Sequence, residues 1–263
     1  MGVPTLYENW LVLWRPDVAL AVILQCGSYF ALVGPLRPRF SGSVPINRQQ
    51  GIAACTVFTL LYLAMGPLSL PAEHVLFTAR VLQMLLLTQV MPPLVFLAVP
   101  GWLFDRIATA PYLGEVVRAS TRPVVAVVVY NLLATVFLLP GPLGATLTND
   151  LVHFAVQYSL IISAIFLWWP LMSRMPRMPQ LSPGRQLLYL IFSMNFMMPI
   201  VVFLLFAEEA WYPFYAAGEA SLNIVSLADQ QVGAVVMVVG MAVIYALRAI
   251  RPFLSHCDSA WYE

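Results

Sequence analysis

Charged residues are scarce in this chain. They make up 10% of its 263 residues, and lysine is absent, so that all thirteen basic residues are arginine. A water-soluble domain has roughly a quarter of its residues charged, whereas 61% of this chain is hydrophobic. The composition therefore predicts a polytopic membrane protein. The net charge of +1 lacks the basic excess of nucleic-acid-binding proteins, and we predict no nucleic-acid partner.

Motifs that would indicate an enzyme or a redox site are also missing. The sequence has no H-E-x-x-H, no G-x-S-x-G and no Walker A motif, so the standard hydrolase, metalloprotease and nucleotide-binding signatures are excluded. Its three cysteines form no C-x-x-C pair. An inverted repeat of the kind found in secondary transporters is not apparent. We expect a protein that is not an enzyme, and a small transporter or channel is the least favoured alternative.

Seven apolar runs are long enough to cross a membrane, because about 20 helical residues span a hydrocarbon core of about 30 Å. They are Val18–Leu36, Gly51–Leu70, Val75–Val99, Pro123–Leu139, Leu151–Met172, Gln186–Ala207 and Val232–Ala249. We therefore predict an all-α membrane protein with seven transmembrane helices in one domain, residues 1–263. Pro92–Pro93 and Pro199 remove backbone donors, and we expect each to kink or unwind its helix.

The arginines predict the orientation, since cytoplasmic loops carry an excess of basic residues. Eleven of the thirteen belong to the loops after spans one, three and five and to the C-terminal tail: Arg37, Arg39, Arg48, Arg106, Arg118, Arg122, Arg174, Arg177, Arg185, Arg248 and Arg251. The amino terminus is then outside and the carboxyl terminus cytoplasmic. The stiff, basic loop 174–179 suits the anionic headgroups of membrane lipid. The outer loop, about 208–231, carries Trp211, Tyr212, Phe214 and Tyr215, which are typical of an interfacial belt.

Ionisable groups at membrane depth are expensive and therefore informative. Arg80 lies in the outer third of span three and needs to snorkel outward or to pair with an acid. Its candidate partners are Glu73, Asp150, Glu208 and Asp229. We predict an Arg80–Asp229 pair. Such a pair has two interpretations: it belongs to a functional site, or it fixes the packing of the helices.

Histidine and methionine residues on the outer side are candidate metal ligands. Asp150, His153 and Gln157 share one helical stripe, so an aspartate could orient the imidazole. His74 begins span three, and Met84 lies one turn below Arg80. Thioether and imidazole groups suit copper. The alternatives are interfacial histidines that are satisfied by water and methionines that fill the core.

Four segments, in this order, resemble the CtaG-type cytochrome c oxidase assembly proteins, which are bacterial membrane proteins. The segment that opens the last helix, ADQQVGAVVM (228–237), is similar to the family's D-Q-Q-x-x-G-x-x-M. The other three are QMLLLTQVMPPL (83–94) with Val99–Pro100, residues 151–171 with His153 and FLWWPL, and WYPFY (211–215). The resemblance covers most of Glu73–Met241.

The resemblance implies maturation of a haem-copper oxidase in the bacterial cytoplasmic membrane. Oxidase subunits are then the expected partners, and copper delivered at the outer face is the expected ligand, with His153, Met84 and His74 as candidate contacts. Arg80, Asp150, Asp229 and Gln230 form the expected polar cluster around them. The chain departs from the family at Arg80, Met84 and Tyr158, which occupy histidine positions. An accessory subunit of an oxidase or supercomplex that holds no metal is the alternative.

Overall fold

The computed structural model describes residues 14–175 and 178–260, without the side chains of Asp150, Arg174 and residues 251–260. Its helices are α1 (Pro16–Val33), α2 (Arg48–Met65), α3 (Ser69–His74), α4 (Phe77–Leu85), α5 (Met91–Ala98), α6 (Gly101–Thr109), α7 (Leu113–Ser120), α8 (Pro123–Leu138), α9 (Pro140–Thr148), α10 (Asp150–Met172), α11 (Pro183–Leu205), α12 (Ala216–Ser221) and α13 (Ser226–Ala260). The strands β1 (Arg174–Met175) and β2 (Met178–Pro179) pair as a short antiparallel hairpin. Apart from this hairpin, the regular structure of the described chain is helical, which confirms the predicted all-α class.

Six helical stretches of the described chain are long and apolar enough to cross a membrane. They are Pro16–Val33, Arg48–His74, Phe77–Ala98, Leu151–Met172, Pro183–Leu205 and Ser226–Ile250. The fourth predicted span corresponds to α8, which has 16 residues and reaches the required length only together with α7, across a bend of 85°. The bundle thus has six candidate spans, or seven if this bent pair counts as one.

Proline affects the two predicted sites differently. The third span changes to a π-helical segment at Leu86–Val90, immediately before Pro92–Pro93. Because a proline has no N–H and its ring clashes with the carbonyl four residues earlier, the wider π turn relieves the backbone there. Helix α11, by contrast, continues without interruption across Pro199, so the unwinding expected at that residue is not present.

Side-chain hydrogen bonds in the bundle interior hold the π-helical segment. The hydroxyl of Thr88 lies 2.9 Å from that of Tyr130, which also accepts from Gln89 Nε2 at 2.7 Å. Asn131 donates to Ser193 Oγ at 3.3 Å. All these groups are buried, and polar groups in hydrocarbon need such partners. The network joins the third span to α8 and α11.

The last helix begins earlier than the sequence predicts. We placed its entry at Val232, but α13 starts at Ser226, so Asp229 lies within its first turn. The predicted outer loop 208–231 accordingly contains the 3₁₀ turn Pro213–Tyr215, the helix α12 and the start of α13. The hydropathy pattern misses this first turn because its polar residues face other protein segments instead of lipid.

Two glycines of α13 allow a close approach to the third span. A Cβ at Gly233 would lie 2.6 Å from Cδ1 of Phe77, and a Cβ at Gly240 would lie 2.7 Å from a methyl group of Leu85. Between them, Met237 is completely buried. Small residues at helix interfaces replace the missing hydrophobic driving force with close packing in a membrane, and here they bring α13 against both ends of α4.

The arginine-bearing loops gather at the opposite end of the bundle. Arg106 lies over the ring of Phe40 at 5.0 Å, and Trp102 donates to the carbonyl of Val44 at 3.1 Å. Arg248 donates to the carbonyl of Leu171. The first two contacts join the segment after α1 to α6. The third joins α13 to the end of α10. Glu8, Arg177 and the side chains of Arg174 and Arg251 lie outside the described residues.

We predict that Gly233→Ala destabilises the protein by about 1–3 kcal/mol, as overpacking of a tight core does. Phe77 cannot move aside, because its ring stacks on Tyr212 with centroids 4.4 Å apart. The matched control is Gly27→Ala, since a Cβ at this helical glycine meets nothing within 4 Å. Thermal unfolding in mild detergent measures both variants. An equal effect of the two substitutions would contradict the close approach.

Candidate functional site

A buried polar layer lies at the end of the bundle where α3, α4, α10 and α13 meet the segment 206–225. We use the name polar layer for Glu73, Arg80, Gln83, His153, Gln157, Tyr215, Glu219, Asp229 and Gln230. Eight of these side chains are buried, including Arg80 at 5% exposure and Glu219 at 2%, and Glu73 is partly buried. Charged groups in such surroundings need specific partners, and the partners identified below define what the layer can do.

Asp229 caps the first turn of α4 from a distant part of the chain. Its carboxylate accepts a hydrogen bond from the backbone N–H of Phe77 at 2.6 Å and from that of Thr78 at 3.3 Å. Thr78 Oγ1 returns a bond to the backbone carbonyl of Asp229 at 3.0 Å. The residue before α4, Leu76, provides no side-chain cap. The carboxylate therefore satisfies free N–H groups and places a negative charge at the positive end of the helix dipole.

The predicted Arg80–Asp229 pair is not formed. Arg80 Nη1 donates to Gln83 Oε1 at 2.9 Å, and Gln83 Nε2 donates to the carbonyl of Ala64 at 2.8 Å. None of the ion pairs between described residues includes Arg80. Since Asp229 is already taken by the backbone of α4, the guanidinium turns to the amide one turn further along the helix.

Gln230 extends this connection to α11, the sixth of the predicted spans. Its Oε1 accepts from the backbone N–H of Trp211 at 2.8 Å, and its Nε2 donates to the carbonyl of Leu204 at 3.1 Å. Asp229 and Gln230 thus tie the start of the last helix to the start of α4, the end of α11 and the loop between α11 and α12. We call this pair of residues the clasp.

The imidazole of His153 meets an acid from another helix. Its Nε2 lies 3.5 Å from Oε1 of Glu73, on α3. The adjacent His74 is exposed, so the two histidines differ in environment although both lie at this end. The side chain of Asp150, which we expected to orient His153, lies outside the described residues. Gln157 is buried on the same helix, as its spacing from His153 predicts.

Two tyrosines expected at the lipid interface are instead buried within this end of the bundle. Tyr212 donates to the carbonyl of Leu138 at 2.6 Å, and Tyr215 donates to that of Ala72 at 2.7 Å. Burial raises the pKa of the Tyr215 phenol, while the positive charge of Arg80 opposes that rise. Trp211 and Phe214 are only partly buried. The Y-P-x-Y segment was the signal that set these tyrosines apart from a generic aromatic belt.

Glu219 is the member of the layer that sequence reasoning missed. It lies on α12, where Gly218 approaches the α3–α4 junction so closely that a Cβ would be 2.5 Å from the carbonyl oxygen of His74. Burial raises the pKa of the Glu219 carboxyl, and the neighbouring Asp229 raises it further, while a hydrogen bond from Ser226 lowers it. Like charges in close contact favour retention of one proton between them. No local sequence signal distinguishes Glu219 from an ordinary loop carboxylate.

Met84 lies in the apolar interior below the polar layer, where it belongs to the main hydrophobic cluster. Its burial is typical of a packing residue. Among the residues that the structure describes, no group of three His, Cys, Asp or Glu side chains lies close enough together to hold a metal ion. The donors that copper chemistry would use here are one buried imidazole beside a carboxylate, one exposed imidazole and one core thioether.

We predict that Glu219 makes stability depend on pH. Its raised pKa means that the folded protein holds this proton more tightly than the unfolded chain, whose pKa is near 4.5. The stabilising contribution is therefore complete below pH 4.5 and is lost as the pH rises through the folded-state pKa. Glu219→Gln imitates the protonated carboxyl and should become progressively more stable than the wild type across that range, as measured by thermal unfolding against pH. A difference that does not change with pH would contradict this.

The chain matches the family described as cytochrome c oxidase caa3 assembly factor (Caa3_CtaG) over residues 27–257. The matched region contains every member of the polar layer. No curated protein and no solved structure matches the chain. The family match agrees with the resemblance carried by the D-Q-Q and Y-P-x-Y segments, which the structure brings together in and beside the clasp. This multi-pass membrane protein belongs to the family of cytochrome c oxidase caa3 assembly factors.

Proposed function

We propose that the protein assists the maturation of a haem-copper oxidase from the outer face of the bacterial cytoplasmic membrane. The family match over residues 27–257 is the observation that carries this proposal. It includes the segments that form the clasp, so the most distinctive geometry of the molecule lies within the region shared with the family. Oxidase subunits are the partners that this function requires.

The distribution of charge supports the outer face as the working side. Glu73, Glu219 and Asp229 belong to the polar layer, at one end of the bundle. The loops with Arg39 and Arg106 lie at the opposite end of the bundle. The excess of basic residues on cytoplasmic loops then puts the carboxyl terminus in the cytoplasm and the polar layer outside. With seven spans, the amino terminus is outside as well.

Copper delivery is the finer form of this proposal, and the donor set of this chain supports it poorly. Cu(I) prefers thioether, thiolate and imidazole ligands. His153 already faces Glu73 at 3.5 Å, and the buried guanidinium of Arg80 is one turn from Met84, where a positive charge opposes the binding of a cation. His74 is exposed. We therefore propose a role that depends on protein contacts and not on a tightly held copper ion.

Tyr158 supports the same conclusion. It occupies a position at which the resemblance implies a histidine, and its hydroxyl accepts a hydrogen bond from Gln25 Nε2 at 3.0 Å. This bond joins α1 to α10 and gives the residue a packing role. A stable accessory subunit that binds no metal is the second candidate function, because it uses the same contacts. It differs in co-purifying with the oxidase at a fixed stoichiometry.

The test is oxidase activity in the membranes of a strain that lacks this protein. We expect deletion to abolish assembled oxidase, measured as cytochrome c oxidase activity and as haem absorbance, and the wild-type gene to restore it. The double variant His153→Gln, Met84→Leu should restore it as well, because neither residue is needed as a copper ligand. Full oxidase activity in the deletion strain would contradict the proposed function.

A titration of the purified protein with Cu(I) under reducing conditions tests copper binding separately from the assembly function. We expect the wild type and the double variant to behave alike. If the wild type bound Cu(I) more tightly and the double variant also failed to restore the oxidase, the copper-free form would be wrong while the assembly function would stand.

A further inference from the structure

An apolar groove on the lipid-facing side of the bundle includes a polar side chain, Asn195, in its lining. The groove lies between α8 and α11 and has a volume of about 660 Å³. Its walls include Val124, Leu188, Ile191 and Phe192, all of them exposed on the surface of the protein. Taken alone, such a surface suits lipid chains.

Asn195 is the feature that lipid does not explain. It lines the groove and is the thirteenth of the 23 residues of α11, about 18 Å along the helix at a rise of about 1.5 Å per residue. This places it at the middle of the span. Its side chain is exposed, and within the described structure its one hydrogen bond is from Nδ2 to the carbonyl of Ile191, at 2.8 Å.

The carbonyl oxygen of this amide accepts no hydrogen bond from the described residues, and the residue lines the groove. Acyl chains offer no donor, and an unsatisfied polar group in hydrocarbon is costly. A second helix does offer one, because Ser, Thr, Asn, Gln and His side chains form hydrogen bonds between transmembrane helices. The groove and Asn195 together thus fit a helix that carries a donor at mid-membrane depth.

Positive charge at one end of the groove argues against a second copy of this chain. Arg185 lines that end, and Arg122 immediately precedes the groove residue Pro123. Both arginines are exposed, and neither forms an ion pair with another described residue. A symmetric contact through the groove would bring two copies of these cations to the same level of the membrane, where like charges repel. An acidic or neutral helix end fits this position instead.

We infer that the α8–α11 groove is the docking site for a transmembrane helix of an oxidase subunit. That helix carries a hydrogen-bond donor opposite Asn195 and an acidic or neutral end beside Arg185. The identity of this partner rests on the proposed function, whereas the requirement for a polar helix rests on Asn195. The lipid-facing side of α13 shows the contrast, since its exposed residues Val235, Val239, Val243 and Leu247 are all aliphatic.

Site-specific photo-crosslinking in native membranes tests the inference. A photoreactive phenylalanine analogue replaces Phe192 in the groove or, as the control, Val239 on α13. The two positions are matched in exposure, at 51% and 53%. We expect the Phe192 position to crosslink to a membrane-spanning oxidase subunit, within a helix that has a polar residue near its centre, and the Val239 position to crosslink only to lipid.

Asn195→Leu should weaken the oxidase crosslink by about three- to thirty-fold, the effect of one hydrogen bond between membrane helices. Asn195→Ser should restore part of it, and an unchanged thermal midpoint shows that both variants are folded.

The inference would be overturned by a crosslink to a second copy, by lipid at both positions, by a partner other than the oxidase, or by a crosslink that Asn195→Leu leaves unchanged. If deletion abolishes the oxidase while the crosslink is absent, only the groove inference fails; if deletion has no effect on the oxidase, the proposed function fails.

Discussion

The capping of α4 by Asp229 is the interaction on which this end of the protein depends. A helix that starts inside a membrane protein exposes free N–H groups, and lipid cannot satisfy them. The segment before α4 supplies no side chain for this purpose, so the last helix of the chain provides it, 152 residues away. The Asp229 carboxylate thereby joins α13 directly to the start of α4. This constraint explains why α13 must begin before the membrane-spanning run and why Gly233 must be small.

The remaining buried charges follow from that arrangement. Because the Asp229 carboxylate bonds to the backbone of α4, Arg80 bonds instead to Gln83. Glu73 lies against the imidazole of His153. Glu219 then lies beside a carboxylate and retains its proton more readily. Two buried atoms of the layer, Glu219 Oε2 and Gln157 Nε2, have no hydrogen-bond partner among the described residues, and an unpaired polar atom is costly in a medium of low dielectric constant. The arrangement of the polar layer thus follows from the capping of α4 by Asp229.

The fold was largely predictable from the sequence, whereas the pairing within the site was not. Apolar runs of about 20 residues indicate spans whatever their neighbours are, so the spans were found, and Pro92–Pro93 identified the distortion of the third. The fourth span was the exception, because α8 is short and continues into α7 across a sharp bend. The partner of Asp229 could not be found, because backbone N–H groups leave no trace in the residue types. Arg80 has four candidate acids in the sequence, and a charge-matching argument cannot show that Asp229, the acid predicted to pair with it, bonds to the backbone instead.

The sequence also could not predict the burial of Tyr212, Tyr215 and Glu219, because it does not show which segments contact each other. Aromatic and acidic residues in an outer loop are usually interfacial or solvated, and only the folding of α12 onto the α3–α4 junction buries these. The family resemblance compensated in part, since it marked the Y-P-x-Y and D-Q-Q segments without revealing what they contact. The groove at Asn195 was equally hidden, because the sequence does not distinguish an asparagine that faces lipid from one that faces the core. Structure was needed to separate Asn195 from Asn131.

A double-mutant cycle between Arg80 and Asp229 tests the central claim most directly. The cycle compares Arg80→Met, Asp229→Asn and the double variant with the wild type, using the free energy of unfolding in one detergent. Because Asp229 bonds to the backbone of α4 and not to the guanidinium, the two effects should add to within about 0.5 kcal/mol, as they do for residues that share no contact. A coupling energy of about 1–3 kcal/mol, typical of residues in one ion-paired network, would contradict the account and restore the direct pair.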